Sequence, residues 1–307
     1  MRLRLAQSGA AVITALLVIS LAAILASGLL LRINEWIEAQ SLQKDRAQAL
    51  ELARGGLDYA RAILLEDNRR SNIDTLDEDW SRQLPPVSIE GGELGGYIED
   101  LQGRFNLNNL GNNGDIDPAE LAIYQSLLSS AGLPGTLADS LADWLDSDEK
   151  PRPGGAESAW YSSQSNPYPA ANEALNEFAE LALVKDYDEA SRQRLRPLVA
   201  VLPGKQPINV NTAPPEVLAA LVPGLNLSGA RQLVQARRQA AFRDPTDFRR
   251  RLPNPETMVP RTTISTVSRH FLATLSARYG QARVTLICHL VRDADGAKPR
   301  ILWQSLQ

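Results

Sequence analysis

Apolar residues run without a charged side chain from Ala10 to Leu31, a stretch long enough for a helix to cross a bilayer. The pattern then changes without stopping. Ile33, Trp36 and Ile37 share one helical face, and Leu50, Ala53, Leu57, Ala60 and Leu64 return at three- and four-residue steps. Glu38, Gln40, Lys44, Asp45 and Arg46 lie between them, and no proline intervenes before Pro85. This periodicity predicts one helix of roughly fifty residues, apolar all round in its first half and amphipathic in its second. Gly55-Gly56 marks a place where it can bend.

Past the helix the period shortens. In "PVSIEGGELGGYIEDLQGRFNLN", residues 86–108, Val87 and Ile89, then Tyr97, Ile98 and Leu101, then Phe105 and Leu107 read as short strand pieces, with Gly91-Gly92 and Gln102-Gly103 as turns. The carboxy-terminal "FLATLSARYG", "ARVTLICHLVRD" and "PRILWQSLQ" are three further strand candidates, joined by Gly280 and by Asp293-Ala294-Asp295-Gly296. Between them, over roughly residues 115–265, the pattern is helical. Asp117-Pro118-Ala119-Glu120 reads as a capping box with proline in the first helical turn, and Gly132 and Pro134 close the helix it opens. "GTLADSLADWLDS", "ANEALNEFAEL" and "DEASRQRLRPLVAVL" read as more helices. The expected architecture is α+β: a long helix under an antiparallel meander, with a large all-α domain inserted.

With 307 residues the chain has room for two or three modest domains. A formal net charge of -4 gives it no global attraction to nucleic acid or anionic lipid. Cys288 is the single cysteine, so no internal disulfide is available and stability must come from packing or a metal. Catalysis finds little support: there is no G-x-S-x-G and no HExxH. Cys288 and His289 are strand neighbours pointing to opposite faces, which predicts a core cysteine and a surface histidine; His270 falls beside the preceding strand.

Only Arg2 and Arg4 precede the apolar run, and Gly9 stands at its head. The two arginines should hold the leader in the cytoplasm. Ala26-Ser27-Gly28 offers an exit of the kind a cleavable secretory signal uses, but such a signal has no reason to continue as an amphipathic helix. A basic leader, a glycine, twenty apolar residues and an amphipathic continuation resemble the type IV prepilins and type II secretion pseudopilins. The resemblance implies cleavage by a prepilin peptidase between Gly9 and Ala10, with methylation of Ala10. Two positions depart from the family pattern: Ala10 stands where most members have Phe, and Thr14 where most have Glu. That glutamate is thought to neutralise the amino terminus of the subunit already in the fibre, so a chain without it is suited to being first.

The missing glutamate, the helical insertion, "GRFNLNNL", "LADWLDSDEKPRPGGAES" and "INVNTAPPEVLAAL" together resemble the minor pseudopilin K family of type II secretion systems. The resemblance implies a type IV pilin-like fold divided into a leader (1–9), a transmembrane segment (10–31), a pilin-like helix and first strands (32–114), an inserted domain (115–265) and closing strands (266–307). It implies a Gram-negative inner-membrane protein with its globular part in the periplasm, at the tip of a pseudopilus. Partners would be the I- and J-type minor pseudopilins, the prepilin peptidase and the inner-membrane assembly platform, with secreted substrates and the outer-membrane secretin as further contacts, and no enzymatic activity.

Asp143, Asp146, Asp148, Glu149 and Glu157 crowd the end of a predicted helix, where the dipole disfavours negative charge. Asp146, Asp148 and Glu157 fall at positions 1, 3 and 12 of an EF-hand, but Lys150 and Pro151 occupy positions 5 and 6. The residues themselves leave two readings: a solvated turn neutralised by Lys150 and Arg152, or a calcium site. The resemblance implies calcium, with Asp143, Asp146, Asp148 and Glu157 as candidate ligands. Asn112, Asn113 and Asp115 read as turn and capping residues.

Residues 208–252 resemble a helix-hairpin-helix module of DNA-uptake proteins, and Arg231, Arg237, Arg238, Arg243, Arg249, Arg250 and Arg251 make it locally basic. The hairpin, read as Pro223 to Gly229, is poorer in glycine than a phosphate-gripping one. A protein-docking surface including Arg237 and Arg238 is the expectation, and a membrane-anchored DNA-binding protein is the alternative.

Overall fold

The computed structural model describes residues 6–89, 91–260, 263–293 and 296–307. In chain order the elements are α1 (Ala6–Arg70), β1 (Leu84–Ile89), β2 (Gly92–Asp100), β3 (Phe105–Asn106), β4 (Gly111–Asn112), β5 (Asp115–Ile116), α2 (Pro118–Ser130), α3 (Thr136–Leu145), α4 (Ser158–Ser162), α5 (Glu189–Leu195), β6 (Val199–Ala200), β7 (Ile208–Asn209), α6 (Pro215–Leu221), α7 (Leu227–Gln239), α8 (Pro245–Arg250), β8 (Ile264–Ser265), β9 (His270–Tyr279), β10 (Ala282–Val291) and β11 (Arg300–Leu306). The loop before β11 contains Ala294 and Asp295, which lie outside the described residues.

Helix α1 has 65 residues, longer than its periodicity suggested, and at 1.5 Å per residue it is about 100 Å long. From Ala10 to Lys44 every side chain is exposed; packing begins at Asp45. From there Ala53, Leu57, Ala60 and Leu64 form the inner stripe, packed on Leu94, Ile98, Phe271, Ala273, Leu275, Leu286, Cys288 and Leu290. The glycine pair serves this contact. A Cβ on Gly56 would stand 3.0 Å from the Leu94 side chain, so glycine lets helix and sheet lie close.

The sheet is antiparallel throughout, in the order β1-β2-β9-β10-β11. Its β1 edge carries Pro85 and Pro86, which blunt it against further strand pairing. The polarity of the helix on the sheet is fixed at both ends. At the end nearer the apolar segment, the Gln281 N–H in the β9–β10 turn donates to Asp45 Oδ2 at 3.1 Å. At the far end, Arg292 just past β10 donates from Nη1 to Asp74 Oδ1 at 2.7 Å and from Nη2 to Asp67 Oδ2 at 3.0 Å. β2 leaves the sheet at Asp100 opposite Phe271 of β9, so both pass through this far end. The whole stretch from Leu101 to Arg269 is therefore inserted at the end of α1 remote from the apolar segment.

A buried polar knot ties the two parts together. Asp100 Oδ2 accepts from Ser268 Oγ (2.6 Å), Thr212 Oγ1 (2.6 Å) and Asn209 Nδ2 (3.2 Å), while Oδ1 accepts from the Gln102 N–H at 2.7 Å. Burial pushes the Asp100 carboxyl up to about 6 despite these donors.

The inserted unit has its own large core, which gathers Phe105, Leu107, Leu110, Tyr124, Leu141, Leu218, Phe242 and Phe248 and extends to Ile264. It starts at Phe105, ten residues before the expected boundary at 115, because β3 pairs in parallel with β6. Nor is the unit all-α: β7 pairs in parallel with β8, and β4 with β5 in a small hairpin whose turn residues Asn113 and Gly114 have φ of 54° and 90°. Two expected helices are mostly absent. "ANEALNEFAEL" forms only a 3-10 segment at Phe178–Leu183, since Asn172 sits at φ 51° and Asn108 clamps both the N–H and the carbonyl of Leu175. α5 ends at Leu195 ahead of Pro197, and Val199–Ala200 becomes β6. Asp117 does cap α2, accepting from the Ala119 N–H at 3.0 Å, but Glu120 is buried and bonds to Asn109 instead of closing a capping box.

His289 corrects the surface assignment. It is buried, its Nε2 3.0 Å from His270 Nδ1, and Trp303 of β11 covers it edge-on at 5.8 Å.

Candidate metal centre

Helix α3 buries every residue from Leu137 to Leu145 except Asp139, so its carboxy end is held rigidly inside the unit. Asp146 caps it, its N–H donating to the Ala142 carbonyl at 2.9 Å. The chain then doubles back. The Lys150 N–H donates to Asp148 Oδ1 at 2.7 Å, and the Gly154 N–H to Asp139 Oδ2 at 3.1 Å. Lys185 Nζ ties down the carbonyl of Gly155 at 2.9 Å. Any Cβ on Gly155 would overlap the Asp143 carboxylate, so only glycine allows the return strand to lie this close. The return brings Glu157 over the end of α3.

One oxygen each of Asp146, Asp148 and Glu157 lies within 4.8 Å of the others. Ligands at 2.3–2.6 Å from a common calcium are at most about 5 Å apart, so these three fit one ion. Asp143 does not join them. Its Oδ1 accepts from Arg152 Nη1 at 2.7 Å and its Oδ2 from the Arg152 N–H at 2.9 Å, so it holds the arginine. The same Nη1 reaches Asp146 Oδ2 at 2.6 Å.

The charge balance is incomplete. Arg152 is the one cation ion-paired in a turn that carries Asp143, Asp146, Asp148, Glu149 and Glu157. Both carboxylate oxygens of Glu157 and Oδ1 of Asp146 are buried without a hydrogen-bond partner, an expensive arrangement for acceptors that water cannot reach. Burial, then the charges of Asp143 and Asp146, push the Glu157 carboxyl up to about 7. Burial likewise raises Asp146. The pattern asks for a hard cation with an all-oxygen shell. It also shows two neighbours that sequence spacing did not offer: Glu149, which accepts from Ser158 Oγ at 2.9 Å, and Asn172, whose Oδ1 is buried and unpartnered. Asn172 is remote in sequence and reaches the turn because its positive φ folds the chain back against Trp144.

The helix-hairpin-helix region is tighter than its sequence suggested. α7 starts at Leu227, so Ser228 and Gly229 lie in its first turn and the connection is only Val222 to Asn226, with Gly224 at φ 76°. The Gly229 N–H is taken by Asn226 Oδ1 and the Leu225 N–H by the Val222 carbonyl. Two of the seven arginines face inward. Arg237 is buried and donates to the carbonyls of Val210 and Ala213, and Arg251 pairs with Asp247 and donates to the Ala240 carbonyl. Arg237 is therefore not part of a flat basic surface.

Two family models described as type II secretion system, protein K, match residues 103–204 and 208–265. A type II secretion system protein K of Pseudomonas aeruginosa is 35% identical over 306 residues, covering 96% of this chain and 91% of that protein. The chain belongs to the type II secretion system protein K family. The Klebsiella pneumoniae member is 33% identical over 293 residues, with 90% of each chain covered. The crystal structure of the GspK-GspI-GspJ complex from enterotoxigenic Escherichia coli contains a chain of the same fold, with a TM-score of 0.68 at 23% identity, covering 88% of this chain and 99% of that one.

In this family's pilin-like frame, Gly9 and Ala10 lie within the first turns of α1. Thr14 Oγ1 donates to the carbonyls of Ala10 and Ala11 at 3.1 and 3.0 Å. Its hydroxyl is thus satisfied inside its own helix and brings no charge with which to meet another subunit's amine.

Proposed function

We propose that this protein is the minor pseudopilin that caps a periplasmic pseudopilus and helps start its assembly for secretion of folded proteins across the outer membrane. The observation that carries the reading is the position of the insertion. It enters and leaves the sheet at the end of α1 remote from the apolar segment, so in an upright subunit it stands on top of the pilin-like unit. A subunit covered there leaves no room for another above it, and Thr14 deprives it of the carboxylate expected of a subunit that joins from below. Both features select the first position in the fibre.

On this reading, prepilin peptidase cuts between Gly9 and Ala10, Ala10 is methylated, and the apolar part of α1 stays in the inner membrane with the globular units in the periplasm. Its partners are the I- and J-type minor pseudopilins and the assembly platform; the solved relative in a GspK-GspI-GspJ complex supports this choice. Asp146, Asp148 and Glu157 hold a structural calcium that neutralises the turn after α3 and pins Glu157 in place. Metal-free, the turn leaves those carboxylates uncompensated. The role is structural, with no step of bond chemistry.

The test is the mass and amino-terminal sequence of the membrane-extracted protein, together with the position of a label on assembled fibres. A mature chain starting at a methylated Ala10 and a label at one end are expected. A start beyond Ala26, or label spread along the fibre, overturns the reading.

A further inference from the structure

The buried Arg237 poses a question that the assembly role leaves open. It is 8% exposed, yet no carboxylate lies within ion-pair distance of it among the described residues. Nη1 spends its two protons on the carbonyls of Val210 (2.8 Å) and Ala213 (2.6 Å). Nε and Nη2 have no partner, and protein does not wall them in. These two nitrogens form the side-on edge of a guanidinium, the pair of parallel donors that matches both oxygens of a carboxylate. Leaving a desolvated cation half-satisfied is costly unless something completes it.

The space beside it has the shape for that. A cavity of about 280 Å³ separates the loop after α1 from the end of α7, with Thr75, Leu76 and Asp77 on one wall and Asn211, Arg237 and Arg238 on the other. Asn211 exhausts its amide on Phe242, accepting from its N–H and donating to its carbonyl, both at 2.9 Å, so it serves as wall only. Thr75 Oγ1 accepts from the Asp77 N–H at 3.4 Å and keeps its own proton to give. Arg238 is exposed and forms no ion pair among the described residues. Asp77 is exposed on the rim and is the carboxylate that faces this site; it lies too far from either arginine for an ion pair. Two guanidinium groups against one carboxylate leave the cavity with one unbalanced positive charge.

We propose that this cavity is a carboxylate-binding site, in which Arg237 grips both oxygens through Nε and Nη2, Arg238 supplies the second positive charge and Thr75 Oγ1 a further donor. A monoanion balances the site, whereas a phosphate dianion overshoots it and meets Asp77. Leu76 gives an apolar flank for the stem of a short acid or of a glutamate or aspartate side chain. The proposal stands apart from the calcium turn and the tip role.

The experiment is a calorimetric titration of the full chain in detergent micelles, at low chloride, with three probes: propionate, a blocked glutamate pentapeptide and its glutamine counterpart. Inorganic phosphate is the fourth. Saturable binding of propionate marks a site for free acids, and binding of the glutamate peptide alone marks one for an acid carried on a chain; either supports the proposal. Asp77→Asn should tighten binding about three-fold and Arg238→Gln weaken it by a similar factor, the size expected of single partly screened charges. Both residues are exposed, so neither variant endangers the fold. Arg237→Lys keeps the charge but not the fork and should weaken binding more than ten-fold. The proposal is overturned if neither acid saturates, if Asp77→Asn and Arg238→Gln bind as the parent does, if the glutamine peptide matches the glutamate one, or if phosphate binds more tightly than both acids.

Discussion

The pilin-like unit and the inserted unit both bury charge, and they resolve it differently. In the first, Arg292 is 4% exposed and complete: its two Nη atoms face Asp67 and Asp74, and the ring of Phe271 lies 4.7 Å from its guanidinium carbon. In the second, Arg152 faces a surplus of carboxylates, and Glu157 is buried with both oxygens unmatched. One unit satisfies its own electrostatics with residues of the chain. The other has been folded into a shape that something from outside must finish. Apolar packing does not explain this contrast, since the inserted unit has the larger core.

The sharpest way to break the comparison is to spoil the self-sufficient side. Arg292→Met removes the one cation paired with two buried carboxylates, and deleting one partner of a buried pair costs about 3–5 kcal/mol. Burial already raises the pKa of Asp67, helped by the Glu78 and Asp74 charges, and raises that of Asp74, so these acids are poorly placed to stay ionised alone. Urea unfolding of the variant should show that loss in the pilin-like unit, with the calcium response of the inserted unit intact. A loss below about 1 kcal/mol would mean the network is no more than a surface pair.

Calcium tests the other side. At a hundred times its dissociation constant, an ion that binds only the folded unit adds about 2.7 kcal/mol. The melting of the inserted unit should rise by that amount in calcium and fall back in chelator, while the pilin-like unit holds. Magnesium should serve poorly, because it demands a tight octahedral shell. Glu157→Gln sharpens the point. It should abolish the calcium increment and yet stabilise the metal-free protein by about 1 kcal/mol, since it removes a like charge from a crowded turn. A parent indifferent to calcium returns the turn to one balanced by Arg152.

How much of this was legible follows from where the information lies. The long helix, the five strands of the sheet and the insertion were visible because period 3.6 and period 2 are local properties of sequence. The nearness of Asp146, Asp148 and Glu157 was visible because a turn of that length closes on itself. The role of Asp143 was not, since nothing local says that Arg152 turns back over α3 to take it. Asn172 and Arg237 were illegible for the same reason: one reaches the turn through a positive φ, the other is buried by the carbonyls of Val210 and Ala213. The missing helices at 171–177 and 196–202 were overridden by long-range partners, Asn108 for the first and β3 for the second. His289 was misplaced because strand alternation cannot foresee that Trp303 covers the outer face.

The smallest effect concerns that histidine and asks how the self-sufficient unit answers to acid. Burial holds His289 down to about 4, helped by His270; burial holds His270 down to about 4 as well, helped by Arg269 and Arg300. A base whose folded pKa is depressed contributes stability that is complete above the unfolded value near 6.5 and is lost as pH falls toward 4. Acids with raised pKa act in the opposite sense. Asp100, held at about 6, and Asp67 contribute stability that is complete below their unfolded values near 4 and is lost as pH climbs through their folded ones. Between pH 7 and 6 the histidines therefore lose what the acids gain, and the net change in the stability of the pilin-like unit should stay within about 1 kcal/mol. The chain has two histidines, so ring-proton NMR reads each one directly. Both should remain neutral down to about pH 5, and removing the opposition with Asp100→Asn should expose the histidine slope as a loss of stability on acidification. An imidazole that titrates near 6.5 would show that this face of the sheet is open to water, and that the pilin-like unit is less closed than its arginine network implies.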